Sequence, residues 1–142
     1  MKISARVENT HDEHRVTVAT DGNTHSIVIP PKTSGAGSSV NGGELLFLAL
    51  ATCYCNDIYR EAATSGIEVE RVEVDVEGQF GGPGEPATNV MYHVRIVASA
   101  PEAEIEDLLR RTDTLAEVHN TLRVRTDVTL DRIEANPAPD RT

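Results

Sequence analysis

Tryptophan is absent from the 142 residues, aromatic side chains make up 4%, and lysine occurs only at Lys2 and Lys32. Each shortage removes a class of function. So few rings leave no stacking platform for single-stranded nucleic acid. Acidic residues outnumber basic ones, 23 to 13, for a net charge of -10. That sign opposes both phosphate tracking and attraction to an anionic membrane surface. The longest apolar run, Leu45 to Ala51, falls far short of the roughly 18 to 20 residues that cross a bilayer. The opening stretch MKISARVENTHDEH has no apolar signal region, so a cytoplasmic protein without nucleic-acid or membrane partners is expected. Two cysteines, Cys53 and Cys55, do not make a disulfide framework. They leave three readings open: a reactive thiol, part of a metal site, or two small core residues.

What is present reads as one domain, residues 1–135, with a flexible tail at 136–142. A chain of this length can bury a core without staples. Ile3, Ala5 and Val7 alternate, as do Val16 and Val18, and Asp21-Gly22-Asn23 supplies a turn. Residues 14 to 30 therefore read as a hairpin ended by Pro30-Pro31. A Gly/Ser-rich loop follows; Ser34-Gly-Ala-Gly-Ser-Ser has no lysine and does not fit a phosphate loop. Asn41 and Glu44 have capping-box spacing, and the helical pattern continues to Ser65 with Gly66 just beyond. The first half of that helix is apolar on every side. The second half turns amphipathic, with Asn56, Asp57, Arg60 and Glu61 expected in water.

Ile67 and Val69 share one parity while Val72, Val74 and Val76 share the other, which predicts a β-bulge near Glu70-Arg71. Val90 to Ala98 alternate as the antiparallel partner. Ser99-x-x-Glu102, with Pro101 in the first turn, is expected to open a second helix carrying Ile105, Leu108, Leu109, Thr112, Leu115 and Ala116 inward. Leu122, Val124, Val128 and Leu130 alternate as a final strand. The order is that of an α+β fold with antiparallel sheets. A helix greasy all round needs wrapping from more than one side, and a homodimer would supply what one small chain lacks.

The stretch GGELLFLALATCYCNDIY, followed by Gly66-Ile67 and a valine-alternating strand, resembles the OsmC/Ohr family along nearly the whole chain. That resemblance implies antiparallel sheets wrapped around a long central helix in an intertwined homodimer. It also implies thiol-dependent reduction of organic hydroperoxides or hydrogen peroxide, and no cofactor is expected. Cys53 occupies the place of the peroxidatic cysteine. Glu44 lies near the family's glutamate, and Arg15 is the candidate for the arginine that holds the thiol ionised. Asp57, four residues past Cys53, matches the OsmC-like branch.

One departure is plain. The family's second cysteine falls where this chain has Ala116, with Glu117 in place of a proline, so the usual intramolecular disulfide cannot form. Cys55 is a poor substitute, because residues two apart on a helix point about 200° from each other. Cys55 accordingly reads as a core residue, and Cys53 as a one-cysteine site recycled by an external thiol. Without reactivity the alternatives are plain: Cys53 a core thiol, Glu44 a helix cap, Asp57 a solvated helix residue, Arg15 an exposed strand residue. Cys-x-Cys on a helix does not converge on a cation, and His11, His14, His25, His93 and His119 are scattered, so no metal is expected. The rival function is a non-catalytic dimer of the same fold that binds an apolar small molecule between its subunits.

Overall fold

The computed structural model describes residues 1–10, 12–136 and 138. His11 and most of the expected tail, residues 137 and 139–142, lie outside them. Two antiparallel sheets and three helices follow the order β1 (Ile3–Asn9), β2 (His14–Thr20), β3 (Asn23–Ile27), α1 (Gly42–Ser65), β4 (Val69–Gln79), β5 (Thr88–Ala98), α2 (Glu102–Leu115) and α3 (Glu117–Arg123). The α+β expectation is met.

β1, β2 and β3 form a meander in that order. The β2–β3 turn is two residues long, Asp21 and Gly22, both at positive φ (48° and 86°). That is the backbone a tight hairpin needs, because its twist matches the strands on either side. No residue of these three strands is buried, and Ile3 and Val7 stay exposed on β1.

α1 begins as its sequence dictates. The Asn41 side chain accepts from the Glu44 backbone N–H at 2.9 Å, and the Glu44 carboxylate accepts from the Asn41 N–H at 2.7 Å. Both donors would otherwise be orphaned at the helix start. Gly66, at φ 70°, closes the other end. The buried stripe is Leu50, Tyr54, Asp57, Ile58 and Ala62, which lies almost wholly in the second half. Leu45 and Leu48, in the all-apolar first half, remain exposed.

β4 and β5 pair over most of their length, and the register shifts between Val69 and Arg71, so the bulge falls where the valine phase changes. Val72 and Val74 of β4 and Tyr92, Val94 and Ile96 of β5 pack on Tyr54, Ile58 and Ala116. This sheet face, α1 and the two short helices make the core.

Three expectations fail. No final strand forms among the described residues: 117–123 wind into α3, and 126–136 run on without pairing. Val124, Val128, Leu130 and Ile133 are left exposed, and no strand among the described residues pairs with their segment. Ser99 does not cap α2, whose N-cap is Pro101 with no side-chain hydrogen bond. Leu115, expected inward, is exposed, because the chain breaks helix at Ala116 and turns there.

Candidate functional site

α1 carries Cys53, Asp57 and Arg60 at i, i+4 and i+7, one above another on a single helical face. The turn at Ala116 then brings Glu117, at the start of α3, against the same face. The Cys53 thiol donates to Asp57 Oδ2 at 3.4 Å, and Glu117 Oε2 lies 3.9 Å from the sulfur. Arg60 Nη1 meets the other oxygen of each carboxylate, Asp57 Oδ1 at 2.8 Å and Glu117 Oε1 at 3.6 Å. Its Nε meets Glu61 Oε1 at 3.0 Å. The four side chains close a ring in which both carboxylates bridge sulfur and guanidinium.

Asp57 is the surprise of the helix. Expected in water, it is only 4% exposed. A buried carboxylate needs partners, and the thiol and Arg60 are those partners. Arg60 remains half-exposed at the surface. Burial pushes the Asp57 carboxyl above its ordinary range; the Cys53 hydrogen bond and Arg60 pull it back, and the Glu117 charge pushes it up again.

The thiol sits above its ordinary value. Burial is the largest cause, and the hydrogen bond to Asp57 and the charges of Asp57 and Glu117 act the same way. The Val118 backbone N–H, bonded to the sulfur, acts against them. Within one chain this is a protonated thiol in an acidic setting, the reverse of the electropositive surroundings that create a standing thiolate.

The other sequence candidates lie elsewhere. Glu44 is engaged in the N-terminal cap, nine residues and about 14 Å of helix before Cys53. Arg15 sits on β2 in a two-point pair with Glu13, at 2.7 and 2.9 Å. Neither touches Cys53 in the chain. Cys55 is a free thiol on another face of α1. The structure thus joins Cys53 to Asp57 and adds two groups, Arg60 and Glu117, that sequence reasoning passed over. Arg60 had a signal, the i+7 spacing from Cys53. Glu117 had none beyond standing beside Ala116.

The ligand atoms of Cys53, Asp57 and Glu117 fall within 4.8 Å of one another, a spacing a cation could use. Arg60 already places positive charge between the two carboxylates, and no metal is assigned.

Directly behind this ring lies an aromatic layer. Tyr92 is edge-on to Tyr54 and to His119, with ring centroids 4.9 and 4.8 Å apart. Tyr54 donates to the Leu109 carbonyl at 2.8 Å, and burial pushes its hydroxyl up to about 12. The Tyr92 hydroxyl donates to Asp113, which Arg123 also holds at 2.6 Å. His119 is buried with no partner for either ring nitrogen, and burial pushes it below its ordinary value.

A search of the curated proteins finds no match. Solved structures are similar in fold. An OsmC-like protein from Mycoplasma pneumoniae superposes with a TM-score of 0.61 at 19% identity, over 84% of this chain and 87% of its own. An OsmC-like protein of unknown function from Vibrio cholerae gives 0.62 at 17%, over 85% and 93%. An organic hydroperoxide resistance protein from Legionella pneumophila gives 0.60 at 21%, over 87% and 90%. At these identities the likeness establishes architecture. The family described as OsmC-like protein matches residues 35–131, which is more than half of the sequence and contains α1 whole with Cys53 on it. The chain belongs to the OsmC family.

Proposed function

We propose that the protein is a thiol-dependent hydroperoxide reductase in which Cys53 is the peroxidatic residue. The observation that carries this reading is the placement of Cys53. It is a free, part-exposed thiol within the OsmC-like match, and an acidic hydrogen-bond partner orients it on the central helix. A sulfur of this kind can take the terminal oxygen of a peroxide and become a sulfenic acid. Ala116 stands at the resolving position, so a small thiol regenerates Cys53 directly. The Legionella pneumophila relative's hydroperoxide resistance supports the substrate class. Glu44 and Arg15 enter the proposal as the glutamate and arginine that the family resemblance implies.

The working form is proposed to be a homodimer. Apolar residues lie uncovered in three places: on the first sheet (Ile3, Val7), on the N-terminal half of α1 (Leu45, Leu48) and along 124–133. Exposure on that scale marks an interaction surface. A second copy would cover all three and give the unpaired 126–136 segment a strand edge to join.

The raised thiol favours the rival reading, a non-catalytic dimer that holds an apolar small molecule. One experiment separates them. Purified protein treated with cumene hydroperoxide or hydrogen peroxide in the presence of dithiothreitol should consume peroxide, and dimedone should label Cys53 by mass. Peroxide left untouched, with no dimedone adduct, would exclude the enzyme.

A further inference from the structure

We propose that Asp57 is the proton acceptor and donor of the Cys53 reaction, held in register by Arg60 and Glu117. This inference rests on the peroxidase reading and assigns it a proton-transfer residue. The geometry carries it. Asp57 Oδ2 is the group to which the thiol donates, at 3.4 Å, and Arg60 fixes the opposite oxygen at 2.8 Å. The carboxylate therefore cannot rotate away from the sulfur without loosening its ion pair with Arg60.

The reaction balances from the protonated thiol, whose proton Asp57 takes up as the sulfur becomes the nucleophile. The Cys53 sulfur attacks the terminal, hydrogen-bearing oxygen of the peroxide; the S–O bond forms as the O–O bond breaks. The thiol proton passes to Asp57 Oδ2 and from there to the departing alkoxide, which leaves as an alcohol, or as water when the peroxide is hydrogen peroxide. Sulfur is oxidised by two electrons and the peroxide reduced by two, giving Cys53 sulfenic acid. Two equivalents of a small thiol then restore the thiol, releasing water and a disulfide. A carboxyl raised by burial is a better base for a thiol than one at its ordinary value, and it lies closer to the operating pH, where a group that both takes and gives a proton works best.

Arg60 and Glu117 act through Asp57 and are positioning residues. Arg60 lowers Asp57 against the upward push of burial and fixes its far oxygen. Glu117 braces the guanidinium from α3 and adds a second negative charge beside the sulfur. The groups facing Asp57 are Cys53 and Arg60 on α1, and Glu117 and His119 on α3; Glu61 reaches it only through Arg60.

The test compares two reagents on one sulfur. In a Cys55→Ser background, so that all labelling reports Cys53, the second-order rates with cumene hydroperoxide and with iodoacetamide are measured for the parent, Asp57→Asn and Arg60→Gln. Alkylation needs only thiolate; peroxide cleavage also needs a proton delivered to the leaving group. Asp57→Asn removes a negative charge, so alkylation at pH 7 should hold or accelerate. Its peroxide rate should fall roughly 100-fold, the low end for a positioned acid–base group. A merely electrostatic or structural role moves both rates the same way, and an Asp57→Asn protein as fast with peroxide as its parent would overturn the proposal. If Asp57→Asn does not fold, Arg60→Gln decides, because Arg60 is half-exposed. Losing the cation raises Asp57, so the acid limb of the peroxide-rate profile should move up by about half a pH unit or more; an unmoved limb overturns the proposal. A parent that neither consumes peroxide nor forms sulfenic acid would sink the peroxidase reading and this inference with it. A reactive parent with an indifferent Asp57→Asn variant would remove only the inference.

Discussion

The two halves of α1 reverse the usual relation between composition and burial. Residues 45–51 are all apolar, yet Leu48 is 59% exposed. The second half carries Asn56, Asp57, Arg60 and Glu61, yet it holds Tyr54, Ile58 and Ala62 in the core and buries Asp57 too. The reason is what lies opposite. The second half faces the valine side of β4 and β5 and the turn at Ala116, whereas nothing in the same chain covers the first half as fully. Hydrophobicity states what a segment would gain from burial; topology decides whether the chain can supply it. The uncovered half is thus apolar surface that this chain leaves unburied, the ground for the proposed second copy, and the covered half is where the chain brings its candidate site together.

The sharpest way to break this comparison is through the sulfurs of the covered half. Cys53→Ser should abolish peroxide consumption, and Cys55→Ser should leave it within about twofold, since the two thiols lie on different helical faces. Equal losses in both variants, read by a coupled peroxide assay, would show that the faces are not independent. Next comes packing. Ile58 is fully buried, so Ile58→Ala should lower unfolding stability in urea by about 2–5 kcal/mol. Leu48→Ala should move the monomer's stability by well under about 1 kcal/mol, as befits an exposed site. Leu48→Glu tests the uncovered half directly. It should convert a dimer to a monomer in sedimentation while far-UV circular dichroism stays unchanged; a protein monomeric before the substitution would refute the demand for a partner.

A smaller effect concerns acid. His119 lies among Tyr54 and Tyr92, with Asp57, Asp113 and Arg123 as its charged neighbours, and its folded value sits below the unfolded one. The unfolded chain then takes up the proton first. The contribution is whole above an unfolded value of about 6.5 and is lost as pH falls toward the folded value. Urea midpoints measured from pH 7.5 down to 5.5 should decline, and His119→Phe should flatten that slope, since neither ring nitrogen has a partner to lose. A slope unchanged in His119→Phe would assign the acid sensitivity to other groups. A modest change is expected at the cap, where Asn41→Ala should cost about 1 kcal/mol in urea unfolding.

Much of the architecture could be read before folding because its determinants are local. The capping box, the hairpin turn at Asp21-Gly22, the helix stop at Gly66 and the bulge beside Glu70 are each settled by a few neighbouring residues, and each appears where the pattern puts it. The final strand failed for the opposite reason. Alternation at 122–130 signals two faces but not a neighbour, and 117–123 found helix more favourable once Ala116 turned the chain. Ser99 failed as a cap because Pro101, which lacks an N–H, begins the helix instead.

The site divides along the same line. Sequence alone determined that Cys53 and Asp57 share a face, since four residues is one turn of helix, and that Cys55 does not. It also determined that an alanine, Ala116, stands where the family resemblance puts a second cysteine. Only the tertiary structure decided that Asp57 is buried, that Glu117 arrives from sixty-four residues away to flank the sulfur, and that Arg60 links the two carboxylates. A thiol's acidity depends on charges within a few ångströms, and those neighbours are set by where α3 docks, which no local pattern encodes.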